Sequence, residues 1–351
     1  MAEVRCLERT LEENLPWNKA RINFFSKFLM AIIAVRTVNL VEIASVFGGK
    51  AKVESHYKRI QRFFRYYELS YTVIAVFVIQ LIAQARPWIL TIDRTEWQLG
   101  KKKLNIVTLG IAYKGVAFPI LWKILEKKGN SNTVERIAIM EEFIQLFGTS
   151  SILYLCADRE FVGKDWFAYL RRNRIDFRIR IKENTIVPNT RGMKRQAWQL
   201  FMSTHTGEAL VIENARRIWD MSLYISGMRL ETGEYLIIVA PCFCYTAIED
   251  YKNRWEIETL FGCLKSRGFR LEETHITDPD RLKKLIALLA IAFSWAHIVG
   301  EWLAQLKPIR IKKHGRLAKS IFRLGFDHLR HIFVNFDLVA FSNACEFLSC
   351  T

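Results

Sequence analysis

The sequence predicts an α/β protein in which a mixed sheet flanked by helices is bracketed by helical segments on both sides. Three observations predict it. Two apolar runs, residues 88–92 and 152–157, read as buried strands, and each is followed at once by an aspartate. Between and after them, strand-like and helix-like stretches alternate, as in α/β folds. Residues 1–80 carry apolar side chains at helical spacing with no period-two run, and the chain is helical in pattern again from residue 247 onward.

Taken in order, Phe24, Phe25, Phe28, Leu29, Ile32 and Ile33 mark a helix, and Gly48-Gly49 breaks the pattern. Residues 54–65 then place Lys58, Arg59, Arg62 and Arg65 among aromatics on one short helix. After Arg86-Pro87 comes the first strand. Residues 104–112 and 116–125 are β-rich and flank Tyr113-Lys114-Gly115, a hairpin turn. Residues 132–147 form a helix capped by Asn132 or Thr133. A strand at 152–157, a helix at 164–172 and a strand at 177–181 complete an α/β unit. Residues 184–235 lose this rhythm and read as short strands with turns. Residues 236–240 return as an apolar strand, and a basic tail runs over 307–330.

Composition narrows the function. Of 351 residues, 51% are hydrophobic and 25% charged, which excludes wholesale disorder. The 52 Lys+Arg against 35 Asp+Glu leave a net charge of +17, a surface that seeks a polyanion, with nucleic acid first. Seven cysteines include no CxxC pair, so neither a zinc ribbon nor a disulfide framework is expected, and reduced thiols are the default. Residues 73–83 and 285–299 are apolar but shorter than the roughly 20 residues a membrane span needs, and read as core helices. No targeting segment or membrane association is expected. Basic density recurs: residues 1–66 hold 12 Lys/Arg against 6 Asp/Glu, residues 161–200 hold ten against three, and residues 302–351 hold eight against three. Solvated faces explain one such cluster; three suggest a duplex crossing several domains.

Carboxylates at strand ends, Asp93 and Asp158, are fixed by a sheet yet exposed at its rim, where α/β folds gather ligands. Such acids either cap turns or share divalent metal. A third segment supplies Tyr251, Arg254, Glu258 and Lys265 at offsets 0, 3, 7 and 14, one helical stripe of about 60°, with Ile257, Leu260 and Leu264 on the opposite face. Arg254 and Glu258 could be an ordinary i,i+4 pair. The functional alternative makes Glu258 a third metal ligand beside phosphate-holding cations.

Tyr-x2-Arg-x3-Glu-x6-Lys resembles the YREK signature of bacterial insertion-sequence DDE transposases. Asp93-Arg94-Thr95 and the run Ala157-Asp158-Arg159-Glu160-Phe161 resemble that family's first and second catalytic blocks. The resemblance covers about residues 50–330. It implies a ribonuclease-H-like catalytic core with a β-rich insertion: a helical DNA-binding segment over 1–80, the catalytic domain over 86–183 and 236–300, the insertion over 184–235 and a basic helical segment over 301–351. It further implies that Asp93, Asp158 and Glu258 are both catalytic acids and ligands of two Mg²⁺ ions, for which Mn²⁺ can substitute. Tyr251, Arg254 and Lys265 would hold DNA phosphates. Trp255, directly after the motif arginine, would stack a flipped base or else pack in the core; Trp198 and Trp219 are candidates for a second stacking group.

The implied activity is cut-and-paste transposition at terminal inverted repeats, with double-stranded DNA, both element ends and target, as partner. A homodimer in a synaptic complex and a cytoplasmic, nucleoid-associated setting follow. Two alternatives stand beside it: a nuclease of the same fold that does not join strands, and a catalytically inactive domesticated DNA-binding protein.

Overall fold

The computed structural model describes residues 2–99, 102–188, 192–313, 315, 317–335 and 337–349. Five helices come first: α1 (Ala2–Asn14), α2 (Lys19–Val35), α3 (Leu40–Ser45), α4 (Val53–Tyr66) and α5 (Tyr71–Ile82). Then follow β1 (Trp88–Leu99), β2 (Lys102–Tyr113), β3 (Val116–Leu125), α6 (Thr133–Phe147), β4 (Ile152–Ala157), α7 (Lys164–Arg172) and β5 (Phe177–Ile181). Residues 184–235 contain β6 (Ile186–Pro188), β7 (Lys194–Gln196), β8 (Ala209–Ile218) and β9 (Met221–Arg229). The chain ends with β10 (Tyr235–Ala240), α8 (Ala247–Asp250), a 3-10 turn (Tyr251–Arg254), α9 (Trp255–Leu264), α10 (Pro279–Leu306), α11 (Ile321–Asn335) and α12 (Leu338–Glu346).

These elements cluster into two units. One comprises Met1–Gln84, Glu96–Leu104 and Leu260–Thr351; the other comprises Ala85–Thr95 and Asn105–Thr259. The second unit is built on an eight-stranded mixed sheet in the order β3-β2-β1-β4-β5-β10-β9-β8. β1, β4 and β5 are parallel neighbours, whereas β3 runs antiparallel to β2 and β10 antiparallel to β5. This is a ribonuclease-H-like α/β core: five strands in the order 3-2-1-4-5, with α6 and α7 supplying the crossovers of its parallel part. Lys114 and Gly115 close the β2–β3 hairpin with φ of 50° and 88°, the two positive values that a two-residue turn matched to strand twist requires. Asn132 caps α6 through a reciprocal bond with Glu135.

The expected insertion does not stand apart as a whole. β6 and β7 form a small sheet of their own, but β8 and β9 extend the main sheet from β10. Another difference concerns β1, which does not stop at Asp93. It continues to Leu99 because Thr95 and Trp97 keep the buried alternation while Glu96 and Gln98 point to solvent.

The helical unit is organised around α10, 28 residues long and apolar on nearly all sides. By length and composition this helix could cross a membrane, yet 83% of its most apolar window is buried inside the protein. Residues 236–300 were expected to lie wholly with the catalytic sheet. From Leu260 they cluster instead with the terminal helices, because α10 buries its surface against α4, α5 and α11. The α10–α11 crossing is made by glycine. A Cβ on Gly300 would meet the Ile321 carbonyl oxygen at 2.0 Å, and one on Gly325 would meet that of Ala296 at 1.9 Å. Gly300→Ala or Gly325→Ala should therefore force the helices apart and destabilise the protein by about 1–3 kcal/mol. Thermal unfolding checks this; unchanged melting would show the crossing to be slack.

Candidate active site

Backbone register builds the site. In the parallel β1–β4 pair Ile92 stands opposite Ala157, so the next residues, Asp93 and Asp158, emerge side by side from neighbouring strands. Each aspartate is held in the same way. The backbone N–H of Arg94 donates to Asp93 Oδ1 at 2.7 Å, and that of Arg159 donates to Asp158 Oδ1 at 2.6 Å. Both Oδ2 atoms face one nitrogen: Arg254 Nη2 lies 3.1 Å from Asp93 and 3.4 Å from Asp158. Through Nη1 the same guanidinium pairs with Glu258. One arginine thus contacts all three sequence-predicted acids.

Burial grades this group. The side chains of Arg254 and Asp93 are 9% and 11% exposed, Asp158 is 28% exposed and Glu258 is half exposed at 51%. Burial pushes the Asp93 carboxyl up to about 6, against the pull of Arg254 and the Arg94 amide, with Asp158 and Glu160 adding to the rise. Arg254 is raised above its ordinary range: the surrounding carboxylates outweigh its desolvation.

A second set of side chains fixes the two aspartate segments. Arg94 Nε lies 2.9 and 3.0 Å from the two Glu160 oxygens, and Arg94 Nη1 donates to Asn105 Oδ1 at 2.5 Å. Ser131 donates to Glu160 through its amide and its hydroxyl. Arg136 on α6 donates to the carbonyls of Ser131, Glu160 and Val162. The Asp-Arg and Asp-Arg-Glu runs therefore contribute a cross-brace, which sequence reasoning used only as a signature and did not recognise as a contact. Glu160 is committed to this brace.

The expected stripe of Tyr251, Arg254, Glu258 and Lys265 is not present as drawn, because the backbone is not one continuous α-helix. It passes from the 3-10 turn into α9 at Trp255, and α9 ends at Leu264. Tyr251 is 1% exposed and packs with Leu236, Ile238 and Ile248. Arg254 is spent on carboxylates. Lys265 belongs to the helical unit, where it donates to the Glu96 carbonyl at 3.3 Å and lies 5.2 Å from the Trp97 ring centre. Ile257, Leu260 and Leu264 are buried as expected.

Trp255 is 43% exposed, its ring edge-on to Tyr251 at 5.7 Å. Trp219 packs edge-on against Phe167, and Trp198 donates to Gln196 and leans on Tyr235. Cys156 is fully buried.

Among the described residues, no three His, Cys, Asp or Glu side chains are gathered closely enough to chelate one metal as they stand. The donor set nonetheless fits a hard divalent cation. Three carboxylates converge on one positive group, and two of them turn an oxygen onto the same atom.

Family comparison agrees with this geometry. The transposase DDE domain family matches residues 84–295, more than half of the chain, and the protein belongs to that family. It is thus a DNA transposase, a member of an enzyme class that cuts and joins strands with divalent metals. Among solved structures, the piggyBac transposase synaptic complex with hairpin DNA is similar to this chain at a TM-score of 0.48 and 11% identity, covering 96% of this chain and 81% of that one. No curated protein matches it in sequence.

Glu256 yields a pH test. Its Oε1 accepts the Gly115 amide at 2.9 Å, yet burial pushes the carboxyl up to about 7 from an ordinary 4.5, against the pull of the Gly115 and Tyr113 amides. The folded state then holds the proton more tightly than the unfolded chain, so this group's contribution is fully present below about 4.5 and is lost as pH rises through about 7. Glu256→Gln should flatten that slope and be the more stable protein at pH 8, by on the order of 1–3 kcal/mol. Parallel stability profiles for the two proteins would refute the assignment.

Proposed function

We propose that the protein is a cut-and-paste transposase of the YREK-signature group of bacterial insertion sequences, acting on the element's terminal inverted repeats. The observation that carries this reading is the side-by-side placement of Asp93 and Asp158, with Glu258 drawn to the same arginine. It is supported by the match to the transposase DDE domain and by the unbroken Tyr-x2-Arg-x3-Glu-x6-Lys spacing.

Asp93, Asp158 and Glu258 would hold two divalent ions, Mg²⁺ by the hardness of the oxygen donors and Mn²⁺ as a substitute, which supply Lewis acidity at the scissile phosphate. The protein's own part is to orient and to shield. The Arg94 and Arg159 amides lock one oxygen of each aspartate, so the other is presented without a rotamer search. In the first step a water oxygen attacks phosphorus and the strand's 3′ oxygen leaves as a 3′-OH. In the second, that hydroxyl attacks either the opposite strand, closing a hairpin, or target DNA, and displaces another 3′ oxygen. Of the three residues expected on phosphates, Lys265 keeps that assignment. Arg254 sets the acids' orientation, and Tyr251 anchors the turn beneath it. Trp255, exposed three residues before Glu258, is assigned to stack a base displaced from the duplex end. Two copies would join two ends in a synaptic complex, in the cytoplasm on nucleoid DNA.

Asp93→Ala, Asp158→Ala and Glu258→Ala should each abolish Mg²⁺-dependent cleavage and leave DNA binding nearly intact, since affinity comes from Lys and Arg on phosphates. Near-normal cleavage by any of them removes that acid from the assignment. Metal binding, read by calorimetry, should weaken as pH falls below about 6, where Asp93 takes up a proton. Recovery of strand-transfer product separates this reading from a nuclease that only cuts.

Trp255→Ala should nick normally and slow the hairpin step by about tenfold to a hundredfold, the loss of one stacked base. An equal slowing of both steps would make Trp255 a packing residue.

A further inference from the structure

We infer that α4 is the helix that reads base sequence in the major groove of duplex DNA, with Lys58 and Arg62 on base edges and Lys52 and Arg65 on flanking phosphates. This rests on the reading of the chain as a transposase that binds DNA ends, and adds which of its surfaces recognises them.

The helix is held by one face only. His56, Ile60 and Phe64, spaced four apart, are buried, while Ser55, Lys58, Gln61, Arg62, Arg65 and Tyr66 are exposed. At about 100° per residue, Lys58, Arg62 and Arg65 fall within about 60° of one another, opposite the buried stripe. α3 precedes α4 and packs on it, and the connection turns through Gly48 and Gly49 at φ of 73° and 117°. The result is a short helix, a turn and a longer basic helix, the order in which a second helix is presented to a groove.

Charge sets the character of this face. Some cations of the same unit are neutralised locally, Lys319 and Arg323 sharing Asp327 and Arg270 pairing with Glu273. Among the described residues, Lys52, Lys58, Arg62 and Arg65 form no ion pair, although Glu54 lies one turn before Lys58. Arg59, off the stripe, is instead tied down, donating to Asn23 at 3.2 Å and lying over Phe24. Three cations without an ion pair on one stripe, joined by Lys52 at the helix N-cap, call for an external polyanion. The dimensions suit a duplex. Lys52, the N-cap, precedes Arg65 by thirteen positions, about 20 Å along the helix axis, enough to pass a groove about 12 Å wide and reach phosphate on both rims. The central pair then meets base edges, where Lys and Arg recognise guanine O6 and N7.

The test uses the full chain and a pool of DNA duplexes with a randomised centre, with affinities measured across a salt series. The wild type should enrich a short motif. Lys58→Ala and Arg62→Ala should lose discrimination at neighbouring base pairs, by about tenfold to a hundredfold each. Lys52→Ala and Arg65→Ala should keep the motif, bind more weakly to every sequence, and each lower the salt slope by about 1. All four side chains are exposed, and unchanged melting confirms folded variants. Wild-type motif and affinity in all four variants would overturn the inference while leaving the transposase reading intact. An unchanged motif with uniform weakening in Lys58→Ala and Arg62→Ala would overturn base reading. Tighter binding to an RNA hairpin, lost in these variants, would overturn the choice of partner. A wild type that binds no duplex would overturn the transposase reading itself and this inference with it.

Discussion

The acidic site depends on one backbone constraint, the pairing of Ile92 with Ala157 between parallel strands. Neighbouring strands lie about 4.8 Å apart, so two aspartates following that pair must be close whatever their side chains prefer. Two like charges at such a distance, one largely out of water, raise each other's cost of ionisation. Arg254 answers that cost, and its burial is tolerable only because three carboxylates surround it. Removing the guanidinium would leave charges uncompensated; slipping the register by one residue would turn an aspartate to the opposite side of the sheet.

Around this pair the structure invests in rigidity. The Arg94–Glu160 contact joins the residue after the first aspartate to the second residue after the other. Ser131 and Arg136 extend the brace to the start of α6. Hydrogen bonds between charged partners at this depth are stronger than neutral ones and hold geometry as well as energy. The acids are therefore positioned before any substrate arrives, while Glu258, half exposed, keeps more freedom.

Much of this was legible in the sequence. β4, α7 and β5 carry clear periodicity, and the Asn132–Glu135 box marks the start of α6. The DNA-transposase class was legible from three ordered blocks. What escaped reading has physical causes. Period-two alternation past Asp93 is hidden because the buried face there carries the polar Asp93 and Thr95, so β1 reads shorter than it is. No residue type marks the 3-10 turn at Tyr251–Arg254, and without it the helical-wheel angles placed Tyr251 outward. A helix apolar on every side, like α10, announces burial but not the partner it is buried against. The resemblance gives Arg254 to a DNA phosphate, and Arg-x3-Glu, a spacing common on any solvated helix, carries no sign that the guanidinium also meets Asp93 and Asp158.

The arrangement of β5 and β10 has an evolutionary consequence. The two are adjacent antiparallel strands, Ile181 facing Ile237, so the chain between them departs from β5 and returns to β10 at nearly one point. Chain spliced between such closely spaced ends can grow, shrink or be exchanged at small entropic cost, since doubling a loop adds only about 0.6 kcal/mol. Glu258 would not notice. The limit lies at the margin of the sheet: β9 covers the far side of β10, so a lineage that trimmed this region to a bare connection would uncover a run of unmet amides and carbonyls and invite strand-to-strand aggregation. Modules found at this position in divergent relatives should thus differ in size and content, yet each should begin or end with a strand that protects β10.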